Sequence, residues 1–118
     1  METAAVSMLL DFPWPPKELS PNARVHWAKK ARAFKSYKEA CMWTGKAAGW
    51  SLHGAKRFKV TFCPPDKRKY DLDNLVARIK AIGDALAVLT AVDDSEFEWT
   101  YWRGNPVANG LVVVEVIG

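Results

Sequence analysis

Leu75, Ile79, Ile82, Leu86 and Leu89 recur at alternating intervals of four and three residues, and this stripe constrains the chain more than any other feature. That spacing gathers the side chains on one side of an α-helix, which is stable only against a complementary apolar surface. The surface must come from elsewhere in the chain. Residues 57–63 alternate as a half-buried strand does, with Phe58, Val60 and Phe62 on one face and Lys59 and Thr61 on the other. A helix packed on a sheet is therefore the first expectation.

The rest of the chain extends that pattern. Residues 6–12 read as a strand, halted by Pro13-Trp14-Pro15-Pro16, because proline donates nothing to a sheet ladder. Ser20-Pro21-Asn22 is a turn signal before a first helix over 25–48, where Trp27, Ala31, Phe34, Tyr37 and Cys41 fall at helical spacing. Gly45 and Gly49 leave its end open. Pro64-Pro65-Asp66 breaks the following strand, and the striped helix starts at Asp73 or Asn74. Asp93-Asp94-Ser95 is a turn, and strands over 96–102 and 111–117 close the chain, joined by Gly104-Asn105-Pro106 and Asn109-Gly110. The order β-α-β-α-β-β predicts a small α+β fold: one domain over 1–118, with two helices packed on a mixed four-stranded sheet.

A chain of 118 residues, 49% of them apolar, suits one domain that gains from a partner subunit. No stretch approaches the roughly 18 apolar residues of a membrane span; the run Leu111 to Ile117 is interrupted by Glu115. Glu2 and the lack of a basic, then apolar, start argue against secretion, and two cysteines, Cys41 and Cys63, make no disulfide framework. A cytoplasmic protein is expected. Net charge is only +4, but Arg24, Lys29, Lys30, Arg32, Lys35, Lys38, Lys46, Lys56, Arg57 and Lys59 face the single acid Glu39. From Asp93 onward the sign reverses. A polyanion would bind the first region and be repelled by the second, although a solvated basic helix face has the same composition.

Two acidic clusters flank the striped helix: Asp71-Leu72-Asp73-Asn74 before it and Asp93-Asp94 after it. Carboxylates are the hard oxygen ligands of Mg²⁺, usually one or two per ion with waters and phosphate oxygens completing the octahedron. In an extended segment Asp71 and Asp73 would point to the same side. If the strand after Asp94 runs beside the one before Asp71, the two clusters meet. Such a set positions metal-bound water for attack on a phosphodiester, and the basic loop Lys67, Arg68, Lys69 would hold flanking phosphates. Lys80 lies seven residues after Asp73, on nearly the same helix face, where its ammonium can stabilise phosphate charge.

Each of these residues also has an ordinary structural reading. Asp73 or Asn74 is a helix N-cap, Asp71 a solvated loop acid beside Lys69, Asp93-Asp94 a turn, and Lys80 a partner for Asp84 one turn on. Other chemistries fit worse. An EF-hand counted from Asp71 would need an oxygen ligand and a glycine where Leu75 and Val76 stand. Cys41, Cys63, His26 and His53 lack zinc spacing, and no Walker, Rossmann or nucleophile-elbow motif calls for an organic cofactor.

From Asp71-Leu-Asp-Asn-Leu through Lys80-Ala-Ile-Gly-Asp84-Ala-Leu to Val92-Asp-Asp-Ser, the chain resembles the phage-type branch of the RusA family of Holliday-junction resolvases. The Pro13-Trp-Pro-Pro ending and the basic loop after Pro65-Asp66 fit the same pattern, so the likeness spans nearly the whole domain. It implies a homodimeric endodeoxyribonuclease of recombination and repair that binds branched DNA and makes paired nicks using Mg²⁺, with Mn²⁺ as a substitute. The family's acids carry over to Asp71, Asp73 and Asp94, with Asp93 as the fallback. Its lysine carries over to Lys80 through the Lys-x-x-x-Asp-Ala-Leu match. Better-known members place that lysine about one turn sooner, where this chain has Ala77, so Arg78 competes for the role. Tyr70 stands where some relatives have arginine. DNA contacts are expected from Lys67, Arg68, Lys69, Arg78, Arg24, Lys29 and Lys30. Three other readings remain open: a DNA-binding module of the same fold without nuclease activity, a nuclease of flap or duplex DNA, and a scaffold whose acids merely cap a helix.

Overall fold

The computed structural model describes residues 7–48 and 52–117; Glu2, Val6 and Gly49 lie outside them. The fold is α+β. Strand β1 (Ser7–Pro13) is followed by α1 (Trp27–Ala48), β2 (Arg57–Cys63), α2 (Leu72–Arg78), α3 (Lys80–Thr90), β3 (Glu98–Arg103) and β4 (Leu111–Ile117). The sheet runs β1-β4-β2-β3, with β4 antiparallel to both neighbours and β2 parallel to β3. Among the described residues no helix is long and apolar enough to cross a membrane.

The strand alternation sorts the sheet into two faces. Phe58, Val60 and Phe62 of β2 align with Val116, Val114 and Val112 of β4, and Leu10 and Phe12 of β1 continue the rows. All of these are buried beneath the helices, together with Leu75, Ile79, Ile82 and Leu86. Each such side chain contributes about 1.5–3 kcal/mol by leaving water. The helix α1 packs on α3, and Gly45 makes room for that contact: a Cβ there would overlap the Leu89 side chain. Gly45 is thus a packing device rather than a helix end, and the helix runs through it to Ala48. Buried on the same helix, Tyr37 donates its hydroxyl to the Pro13 carbonyl at 2.7 Å, and burial pushes the Cys41 thiol up to about 12.

Several boundaries differ from the sequence pattern: α1 starts at Trp27 rather than at residue 25, and β3 ends at Arg103 rather than at 102. The striped helix starts at Leu72, one or two residues earlier than expected, and divides at Ile79 (φ −101°, ψ 19°), so that two helices stand where one was expected. There the Ile79 N–H bonds to the Val76 carbonyl at 3.3 Å and the Ile82 N–H to Ile79 at 2.8 Å, three-residue spacings that tighten the turn. Periodicity could not reveal the break, because Ile79 still faces the core. Strand β3 starts at Glu98 rather than 96, since Asp93 caps a 3₁₀ turn over Asp94–Glu96. Ala91 ends α3 in the left-handed region (φ 60°) without the glycine that usually signals such an end.

Candidate active site

The loop before α2 is built around Asp66. Its carboxylate accepts from the Arg68 backbone N–H at 2.9 Å, the Arg68 guanidinium at 3.1 Å and the Tyr70 hydroxyl at 3.3 Å. The Arg103 guanidinium at the end of β3 donates to the Tyr70 carbonyl at 2.7 Å, tying the segment before Asp71 to that end of the sheet. Asp71 is the N-cap of α2, and its Oδ1 accepts the Asp73 N–H at 3.0 Å. Asp73 is already within the first helical turn, so the alternation of an extended strand does not apply; what links the two residues is the cap hydrogen bond from the Asp73 backbone. Both are exposed at the electropositive end of the helix.

At the other end, Asp93 Oδ1 accepts the Ser95 N–H at 2.9 Å, and this bonding holds its carboxyl below the usual carboxylate range. Asp94 lines a cleft of about 380 Å³ between the helices and β3, with Ala77, Lys80, Asp84, Trp99 and Tyr101. The Lys80 ammonium is 3.6 Å from Asp84. Burial raises the pKa of the Tyr101 hydroxyl, on another of the side chains lining that cleft. Asp84, which the sequence offered only as an ion-pair partner, thus shares a site with Asp94 and Lys80. Its place in the Lys-x-x-x-Asp match was the available signal; for Arg103 there was none.

Asp71, Asp73 and Asp94 are not gathered into one cluster. Among the described residues no three of His, Cys, Asp and Glu stand together in a way that could hold a metal ion. The strand after Asp94 does run beside the one before Asp71, but in parallel. Asp71 therefore follows the far end of β2, whereas Asp94 precedes the near end of β3, with α2 and α3 carrying the chain between them. The outcome is two acidic pairs: Asp71 with Asp73 at the cap, and Asp84 with Asp94 in the cleft.

Most of the expected cations are exposed, Arg68 and Lys29 included, and they differ in what they pair with. Lys67, Lys69 and Arg24 are exposed, and Lys30 is partly so. Arg68 is paired with Asp66 at 3.1 Å, and Lys29 lies 4.0 Å from Glu18. Arg78 turns inward: it donates to the Pro15 carbonyl at 2.6 Å and lies 5.7 Å from the Trp14 ring centroid. Burial lowers its pKa, yet a guanidinium stays charged. It acts as a strut between the proline segment and the helix break, which leaves Lys80 as the solvent-facing cation beside the cleft.

No protein-family model matches the chain. It is similar to an uncharacterized protein of Xylella fastidiosa (strain Temecula1), 38% identical over 93 residues. The match covers 75% of this chain and 61% of that protein, so the chain spans less than two thirds of the relative's length.

Proposed function

We propose that the chain is a Mg²⁺-dependent, structure-selective DNA endonuclease that works as a cytoplasmic homodimer and resolves four-way junctions by paired nicks. The observation that carries the reading is a cleft in which Lys80, Asp84 and Asp94 meet, on the helix side that also bears Asp73. The likeness of Asp71-Leu-Asp-Asn and Lys80-Ala-Ile-Gly-Asp84-Ala-Leu to the motifs of the RusA family supports it. The helix break at Ile79 falls between Asp73 and Lys80, the stretch in which this chain is about three residues longer than that family's pattern.

The donor chemistry fits Mg²⁺ pair by pair. One or two carboxylates per ion are usual, with waters and substrate phosphate filling the remaining positions. Asp71 with Asp73, or Asp84 with Asp94, would supply them, and Mn²⁺ would take the same oxygen donors. When bound, the ion would supply a Lewis acid for phosphodiester charge and an activated water. The chain's own contribution is positional. Lys80 presents a compact positive charge to phosphate oxygens, and Lys67 and Lys69 hold the flanking backbone. A two-fold dimer gives the two symmetric cuts that one chain cannot.

The division of the acids favours a second reading, a DNA-binding module of the same fold that does not cut. Cleavage of a synthetic four-way junction beside a matched flap and linear duplex, with and without Mg²⁺, separates the possibilities. Metal-dependent nicking of the junction by wild type and not by Asp73→Asn is the expected result. Equal cutting of all three DNAs would leave a less selective nuclease, and binding without cutting would leave the module.

A further inference from the structure

We propose that an apolar cleft at the head of α1 is a seat for an unstacked nucleobase, with Trp27 as its stacking platform; the proposal rests on the DNA reading above. The cleft has a volume of about 450 Å³ and is lined by Trp27, Phe34, Leu19 and Pro21, with Lys30 and Lys80 among its cations. No carboxylate lines it, and the first turn of α1 carries no acid. The nearest acid in sequence, Glu18, lies 4.0 Å from Lys29.

Trp27 is 76% exposed. The other strongly exposed indoles among the described residues, Trp43 and Trp102, each carry a lysine over the ring, Lys46 at 5.3 Å and Lys59 at 5.0 Å. Trp27 has no such ammonium among the described residues. Its ring neighbour is His26, 5.5 Å away between centroids and tilted by 32°.

A flat group with two apolar faces and an anion on either side suits this combination, and a nucleobase within a DNA strand is such a group. Stacking on an aromatic face supplies affinity that phosphate contacts cannot, and it requires a base freed from its duplex. The position adds a second argument. This cleft and the acidic cleft share Ala77 and Lys80, so they lie on either side of one ridge. A strand with its base against Trp27 passes its neighbouring phosphate over Lys80 towards Asp84 and Asp94. Branch points offer unstacked bases and linear duplex does not, so the seat selects junctions and sets which base stands beside the cut.

The test is equilibrium binding, in EDTA, of a four-way junction, a short oligo-dT and a matched linear duplex to wild type, Trp27→Ala and Trp27→Phe. Trp27→Ala is expected to lose roughly ten-fold or more in affinity for the junction and oligo-dT, and Trp27→Phe to restore most of it. Duplex affinity, set by backbone phosphates, should change by less than about two-fold. An equal loss on all three DNAs, or none on any, overturns the base seat and leaves the DNA reading standing. Wild type that binds none of the three overturns the DNA reading, and the seat with it. The side chain is so exposed that its removal should leave the far-ultraviolet circular dichroism unchanged.

Discussion

The inward and outward sides of α2 and α3 are made of the same two helices and are specified in opposite ways. Inward, Leu75, Ile79, Ile82 and Leu86 are buried against the sheet and α1, and each repeats the instruction of the others. That redundancy lets the stripe run through the break at Ile79 undisturbed. Outward, Asp73, Ala77, Lys80 and Asp84 follow one another along the helices, and no two do the same job. Asp73 sits beside the cap, Ala77 leaves room in both clefts, and Lys80 stands on the ridge with Asp84 below it. Packing tolerates exchange of one apolar residue for another, whereas a charge at a phosphate does not. Substitutions on the two sides should therefore separate stability from chemistry.

The largest effect belongs to the inward side. Ile82→Ala removes a fully buried side chain, and its truncation is expected to cost about 2–5 kcal/mol. Urea denaturation should show the midpoint falling with the slope preserved, while the proposed DNA cleavage, per folded molecule, should stay at the wild-type level. A loss below about 1 kcal/mol would mean that neighbouring side chains collapse into the space and that the inward side is less closely packed than its burial indicates.

The same contrast explains what could be read from the sequence. The alternation of Phe58, Val60 and Phe62 and the spacing of Leu75 to Leu86 report burial, and burial is what the fold obeys, so sheet, helices and their order were legible. Geometry set by single hydrogen bonds was not. Nothing in the spacing shows that Asp71 rather than Asp73 caps α2, that Arg78 turns in to the Pro15 carbonyl, or that Arg103 holds Tyr70. The expected convergence of the two acidic clusters failed on strand direction. Adjacency of β2 and β3 could be anticipated, but parallel pairing sends their flanking acids to opposite ends of the sheet. Ala91 shows the limit from the other side: a left-handed helix end held by its surroundings carries no compositional mark.

Asp71 sits where the two sides meet, because its carboxylate both caps a helix and belongs to the proposed metal-binding pair. Asp71→Ala removes the acceptor for the Asp73 N–H and should cost about 1 kcal/mol. Asp71→Asn keeps an acceptor oxygen there and should unfold within a few tenths of a kcal/mol of wild type. Both are expected to lose Mg²⁺-dependent cleavage. If thermal unfolding separates the two variants while the nuclease assay does not, the cap and the chemistry are distinct roles of one side chain. An Asn variant that cuts normally would reduce Asp71 to its cap.

The smallest effect on stability, and the sharpest test of the outward side, comes from Lys80. Its side chain is 72% exposed and its partner Asp84 lies 3.6 Å away, one turn on. Helix-surface pairs at that spacing contribute only about 0.3–0.5 kcal/mol, since water and salt screen the exposed ammonium. Lys80→Gln should therefore leave the urea midpoint almost unmoved. Cleavage should behave differently, because an ammonium facing a phosphodiester stabilises charge that builds up only as the bond breaks. A drop of roughly 100-fold or more in the single-turnover rate, with junction affinity changed far less, is the expected signature. Equal losses in affinity and rate would make Lys80 one phosphate contact among several. A loss of stability without a loss of rate would return the Lys80–Asp84 pair to the ordinary role of a surface ion pair, and the outward side would then carry its chemistry in the acids alone.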